Sequence, residues 1–307
     1  MQDLHELPKL RDSLSYLYIE HAIVDRKDSA IEFIQKNGRT HVPAAALSVL
    51  LLGPGTSISH AAVKVLAECG CSLIWTGEDV TRCYAAGTGE TRKAYHLLRQ
   101  AEQSCNPQQR LGVIRKMYQM RFPETLADDL TLEQIRGMEG ARVRSAYYRY
   151  SRETGVPWTG RNYDRGNWGA SDPINRALSA GNALLNGICH AAIVSGGYST
   201  ALGFIHTGKQ LSFVYDIADL YKAEITIPLA FQTVAASPAQ VDSRVRAACR
   251  QKFKDVKLLA RILPDIDALL GITPEEAQAH DAMDADPALP AALWDDVDDG
   301  EDEEMLQ

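Results

Sequence analysis

The hydrophobic pattern changes character once along the chain. Before Ala86, apolar and β-branched residues fall in short runs broken by turn formers, which predicts strands over residues 16–24, 31–35, 71–75 and 82–85. Asn37-Gly38 after the second run is a hairpin signal. The continuous run 47–52 stops at Gly53-Pro54-Gly55, as a strand buried on both faces would. Residues 59–69 predict one helix, with Ser57 or Ser59 as its cap and Gly70 just past its end. After Ala86-Gly87-Thr88-Gly89 the period lengthens, predicting helices over 92–104, 106–121, 132–152, 173–195, 212–222 and 241–261.

This pattern predicts an α+β chain of two domains: a β-rich unit with one helix over residues 1–86 and a helical unit over 87–272. An acidic, Pro- and Ala-containing tail over 273–307 cannot build a core of its own. The longest apolar run, Ala44 to Leu52, falls far short of the roughly 20 residues of a bilayer span, so a soluble, cytoplasmic protein is expected.

Charge modifies that picture. The 307 residues carry a formal net charge of -8, but residues 281–307 hold eleven acids and no Lys or Arg. The rest of the chain is slightly basic, so the overall acidity does not argue against nucleic acid. Six cysteines at 69, 71, 83, 105, 189 and 249 include no C-x-x-C pair, and reduced thiols are expected rather than a zinc site or disulfides. The glycines at 53–55 and 196–197 lack phosphate-loop spacing and read as turns.

Two segments stand out chemically. Around a helix through Glu139, the residues Leu132, Ile135, Val143, Ala146 and Tyr150 fall within about 40° of the carboxylate, placing an acid inside an apolar stripe. Such an acid is paired, protonated or metal-bound. Ion pairing with Arg142 or Arg136, each three residues away, is the plain alternative. Further on, His206 lies in a Gly-bounded turn, and Asp216 and Asp219 share one face of the following helix, opposite Phe213, Ile217, Leu220 and Tyr221. One imidazole and three carboxylates suit Mg²⁺ or Mn²⁺ better than structural zinc. Two acids on a helix and a His beside glycines also occur without any ligand. Lys209 adds a cation that either meets a phosphate or stays in solvent.

Between 136 and 165 seven arginines interleave with Tyr147, Tyr148, Tyr150, Trp158 and Tyr163. Guanidinium groups for phosphates and rings for unstacked bases suit a nucleic-acid groove, although a solvated helix over core aromatics gives similar letters.

Three stretches, Arg136-Gly-Met-Glu139-Gly-Ala-Arg-Val-Arg144, Gly203-Phe-Ile-His206-Thr-Gly-Lys209 and Phe213-Val-Tyr-Asp216-Ile-Ala-Asp219, resemble the signatures of the CRISPR adaptation integrase, type I-E branch. The likeness runs from about residue 10 to 265, including THVP, GTSISHAAV and TGRNYD. It implies a β-sandwich-like amino-terminal domain and an all-helical catalytic domain. It also implies Glu139, His206 and Asp219 as ligands of Mg²⁺ or Mn²⁺, with Asp216 and Lys209 beside them in the catalytic set. Arg82, Arg136 and Arg246 would then hold DNA backbone, Tyr163 would help read the adjacent motif, and His21 would stand where relatives carry a Tyr wedge. The implied partners are protospacer and repeat DNA, a second copy of the chain, and a small ferredoxin-like subunit, with two dimers of this chain per partner dimer. Leu289, Pro290, Leu293 and Trp294 of the tail would be docking anchors or remain unstructured. The implied reaction inserts protospacer DNA into a repeat array by 3′-hydroxyl transesterification. A metal-dependent nuclease acting on branched or damaged DNA, or a non-catalytic DNA-binding scaffold, are the competing readings.

Overall fold

A left-handed residue, His21 at φ 50°, divides what reads in sequence as one strand over 16–24. Its N–H donates to Pro54 O at 2.9 Å, and its imidazole crowds Gly55, where a Cβ would lie 2.4 Å from Nδ1. The two halves, β1 (Tyr16–Ile19) and β2 (Ile23–Lys27), consequently enter different sheets. The computed structural model describes residues 16–28, 30–80, 82–87, 94–127, 129–161, 172–273 and 275–276.

The hairpin expected at Asn37-Gly38 joins β3 (Ala30–Gln35) to β4 (Gly38–Pro43), with Gly38 at φ 144°. Then follow β5 (Val49–Leu52), β6 (Ser57–Ile58), α1 (His60–Glu68), β7 (Ser72–Thr76) and β8 (Cys83–Gly87). Ser59 caps α1 by accepting from the Ala62 N–H, and Gly70 turns the chain out at φ 67°. One four-stranded sheet has the order β1-β5-β7-β8, parallel except for β8. The other has the order β4-β3-β2-β6, antiparallel except for β6.

All four residues of β5 are buried, as its unbroken apolar run predicts. Leu50 and Leu52, with Leu73 of β7, share a core with Val24, Ile31 and Phe33 of the second sheet and Ala62, Val65 and Leu66 of α1. Val49, Leu51 and Ile74 belong instead to the large core of the helical region.

That region comprises α2 (Ala94–Cys105), α3 (Pro107–Gln119), α4 (Leu132–Thr154), α5 (Pro173–Ser195), α6 (Ser212–Tyr221), α7 (Ile227–Ala236), α8 (Val241–Asp255) and α9 (Leu258–Leu270). The order of the fold is thus a β-sheet region followed by a helical one. α5 packs against α6, α7, α8 and α9. It is long and apolar enough to cross a bilayer, but 67% of its most apolar window is buried inside the fold, which makes it the central core helix. Its Gly187 lies so close to the Val80 carbonyl that a Cβ would stand 2.0 Å from the oxygen.

Two helix expectations need correction. The helix over 212–222 runs through a π-helical turn, Lys222–Thr226, into α7, a helix absent from the predicted set, with Pro228 in its first turn, where a missing N–H is tolerated. The span 241–261 is two helices, since Lys257 at φ 48° breaks the path between α8 and α9 without a Gly or Pro to announce it. All six cysteines are free thiols. Burial pushes the thiols of Cys71, Cys83 and Cys249 up to about 12, so they remain protonated.

Candidate active site

Glu139 stands on α4, whose start is fixed by a reciprocal box between Thr131 and Gln134 and whose end is turned by Gly155 in the left-handed region. The carboxylate is 13% exposed. Its Oε2 accepts from Arg142 Nε at 3.0 Å, and its Oε1 lies 3.6 Å from an Nη of Arg121. Arg142 is thus the neighbour that spacing predicted, while Arg136, the other candidate, is exposed. Arg121 has no helical spacing to Glu139 and could not be found from sequence. It extends from just beyond α3, its guanidinium buried over the Tyr118 ring at 5.3 Å and its Nη2 3.5 Å from the Asp216 carbonyl. One guanidinium therefore links the Glu139 helix to α6.

Asp216 and Asp219 do not share a solvent face. Asp216 is completely buried, and its carboxylate accepts four bonds from the turn before α6. Oδ2 receives the N–H groups of Phe204 and Ile205 at 2.6 and 3.0 Å, while Oδ1 receives the His206 N–H at 2.9 Å and faces His206 Nδ1 at 2.7 Å. With its lone pairs directed at the turn, Asp216 orients His206 and leaves Nε2 of the ring for a ligand. His206 itself is 45% exposed. Its pKa is raised, chiefly by the Asp216 hydrogen bond against opposing desolvation; the Asp216 and Asp219 charges add to the rise and the Lys222 charge offsets part of it. Gly203 allows the turn to close, because a Cβ there would meet the His206 carbonyl at 2.2 Å.

Asp219, one turn further along α6, is partly exposed and paired with Lys222. Spacing of three on a helix would have revealed that partner. Lys209 is exposed, its N–H held by Ser212 Oγ at 3.1 Å. The donor set of Glu139, His206 and Asp219 has the oxygen and nitrogen chemistry of a Mg²⁺ or Mn²⁺ site, and both carboxylates already face cations. In the present arrangement those cations are Arg121, Arg142 and Lys222, and among the described residues no three His, Cys, Asp or Glu stand close enough to enclose an ion. A metal would have to replace side-chain cations.

The aromatic-and-arginine stretch divides. Tyr147 stacks on Trp158 at 4.3 Å, and both pack on Phe231 with Tyr150, so these rings are core rather than a platform for bases. Tyr148 is exposed. Arg161 bonds the Asn175 carbonyl and side chain on α5. Arg82 and Arg136 are exposed, Arg246 on α8 is half-buried, and His21 is exposed at the corner between the sheets. Tyr163 and the tail anchors Leu289, Pro290, Leu293 and Trp294 lie outside the described residues.

The family model for CRISPR associated protein Cas1 matches residues 15–125 and 119–243. The chain is 56% identical over 297 residues to CRISPR-associated endonuclease Cas1 2 of Thermus thermophilus, spanning 96% of this chain and 90% of that protein. To CRISPR-associated endonuclease Cas1 of Escherichia coli it is 40% identical over 295 residues, 95% of this chain and 96% of that one. The fold superposes on the solved structure of a TtCas1–DNA complex with a TM-score of 0.77 at 57% identity, covering 86% of this chain and 99% of that chain. The matched residues contain the Asp216-held turn, the Glu139 helix and both sheets, and with them the chain belongs to the Cas1 family of CRISPR-associated proteins.

Proposed function

We propose that this protein is a metal-dependent DNA integrase and endonuclease of the type I-E branch that inserts protospacer DNA into a CRISPR repeat array. The observation that carries the reading is the Asp216-oriented imidazole of His206, within the electrostatic reach of Asp219 and joined to the Glu139 helix through Arg121. Glu139, His206 and Asp219 would hold Mg²⁺ or Mn²⁺, which supplies Lewis acidity at the phosphate oxygens.

The reaction is a transesterification. The 3′-hydroxyl oxygen of the protospacer forms a new bond to phosphorus of a repeat phosphodiester, the bond from that phosphorus to the repeat 3′-oxygen breaks, and the proton of the attacking hydroxyl ends on the released one. Phosphodiester number is conserved, so no nucleotide is consumed. Asp216 fixes the imidazole direction, and Lys209, exposed three residues on, offsets charge on the transferring phosphate. Arg82, Arg136 and Arg246 bind DNA backbone, with Tyr163 and His21 at the adjacent motif and the duplex end. The working assembly is a homodimer, two of which flank a dimer of a small ferredoxin-like subunit. With water replacing the hydroxyl, the same site cuts DNA, a reading favoured by the endonuclease name of the relatives.

The test is strand joining between labelled DNA with a free 3′-hydroxyl and a repeat-containing plasmid, with the small subunit and Mg²⁺ or Mn²⁺. Joined product that disappears with EDTA and with His206→Ala is expected. Joining that persists in both overturns the assignment.

A further inference from the structure

The segment between α5 and α6 has no regular structure over 196–206, and much of it is buried, so its peptide groups need side-chain partners. Three helices supply them. Gln100 of α2 is completely buried, and its amide is spent on this segment: Nε2 donates to the carbonyls of Ser199 and Leu202 at 2.9 and 3.0 Å, and Oε1 accepts the Ser199 N–H at 2.8 Å. One turn earlier, His96 contacts the Gly196 carbonyl at 2.6 Å and stacks on Tyr198. Arg110 of α3 donates from Nε and Nη2 to the Phe204 carbonyl at 3.0 and 2.6 Å. On the opposite side of that same peptide run, Asp216 takes the Phe204, Ile205 and His206 N–H groups.

The His206 turn is therefore gripped from two directions, by carboxylate on its donors and by amide and guanidinium on its acceptors. Asp216 holds only the donor side of residues 204–206. The fork of Arg110 on Phe204 O, two residues before His206, holds the acceptor side, and the Gln100 amide ties Ser199 and Leu202 just upstream.

We propose that Gln100 and Arg110 are positioning residues for His206, setting from α2 and α3 the place of an imidazole that neither of them touches. The inference rests on the proposed role of His206 and deepens it. It predicts that loosening the clamp moves a ligand without removing it.

The variants are Gln100→Glu, which keeps an acceptor for the Ser199 N–H but turns oxygen toward two carbonyls, and Arg110→Lys, which keeps the charge but loses the fork. Full-length protein is first checked for native helical content. Mn²⁺ dissociation constants are read by electron paramagnetic resonance, and cleavage of duplex DNA is resolved into kcat and KM. Amide hydrogen exchange is followed at Phe204, Ile205 and His206. The expected result is Mn²⁺ binding weakened about tenfold, kcat lowered by a similar factor with KM within twofold, and faster exchange at the three amides while α5 stays protected. A merely structural role would lower the folded fraction and leave kcat and Mn²⁺ affinity per folded molecule unchanged, and that result overturns the proposal. If the unaltered protein neither binds Mn²⁺ nor cuts DNA, the proposed function fails, and the clamp is then judged on exchange alone: unchanged protection of the three amides in both variants overturns it.

Discussion

Asp216 Oδ1 lies 2.7 Å from the imidazole Nδ1 of His206 and 2.9 Å from the same residue's backbone N–H. One oxygen thus fixes both the ring and the peptide that carries it. Asp216→Asn retains the size of the side chain but replaces one acceptor oxygen with a donor that faces N–H groups. Losing charge-assisted bonds in a fully buried site is expected to cost about 2 to 3 kcal/mol. Urea unfolding at neutral pH checks this, and a midpoint equal to that of the unaltered protein would count against the assignment.

The same contact has a pH signature. The folded pKa of His206 lies above its ordinary value of 6.5, so its contribution to stability is complete below 6.5 and fades as pH rises through the folded value. Asp216→Asn removes the largest cause of the shift, and the stability difference between the two proteins should narrow at alkaline pH. Unfolding midpoints measured from pH 5 to pH 9 in EDTA test the sign, which a difference widening with pH would reverse.

Glu139→Gln keeps one acceptor oxygen, which serves Arg142 on Oε2 while the amide nitrogen replaces the Oε1 that faces Arg121, and it removes a charge from the candidate ligand set. With several kcal/mol of phosphate stabilisation at stake, strand transfer should fall about a thousandfold or more while DNA affinity changes by less than about threefold. Joining assays beside filter binding separate the two effects. Near-normal transfer would remove Glu139 from the site.

Lys222 and Asp219 form a partly exposed pair three residues apart on one helix surface, of a kind worth at most about 0.5 kcal/mol. Lys222→Met should therefore leave stability almost unchanged. It should also tighten Mn²⁺ binding, since the ion no longer competes with an ammonium group. Calorimetric titration of both proteins decides the point, and weaker binding by the variant would show that Lys222 does not oppose the ion.

Gly187→Ala places a methyl group against the Val80 carbonyl, where the fixed backbone offers no room. Overpacking of this kind costs about 1 to 3 kcal/mol. Thermal unfolding should show a lower midpoint, whereas Gly112→Ala, in open space on α3, should not.

The strand and helix spans are readable wherever local pattern and tertiary demand agree. The β5 run and the Ser59-capped helix are such places, as is Asn37-Gly38. Tertiary contact overrides local signals elsewhere. Nothing in the letters around Lys257 marks a left-handed break, and none marks the π-helical turn that carries α6 on into α7. At the site, Glu139 in an apolar stripe was legible, and so was its pairing with Arg142. The guanidinium of Arg121 and the amide of Gln100 arrive from distant elements, and no spacing rule connects them to Glu139 or His206. Asp216 illustrates the remaining limit: periodicity placed it beside Asp219, but only the folded turn shows that its oxygens point inward.

The alternation along β5 has a consequence for anyone dividing this molecule. Leu50 and Leu52 serve one core while Val49 and Leu51 serve the other, so the strand is a party wall rather than an outer boundary. Severing the chain near Gly87 would leave the first fragment with Val49, Leu51 and Ile74 as a bare greasy surface and would uncover the seat of Gly187 on the second.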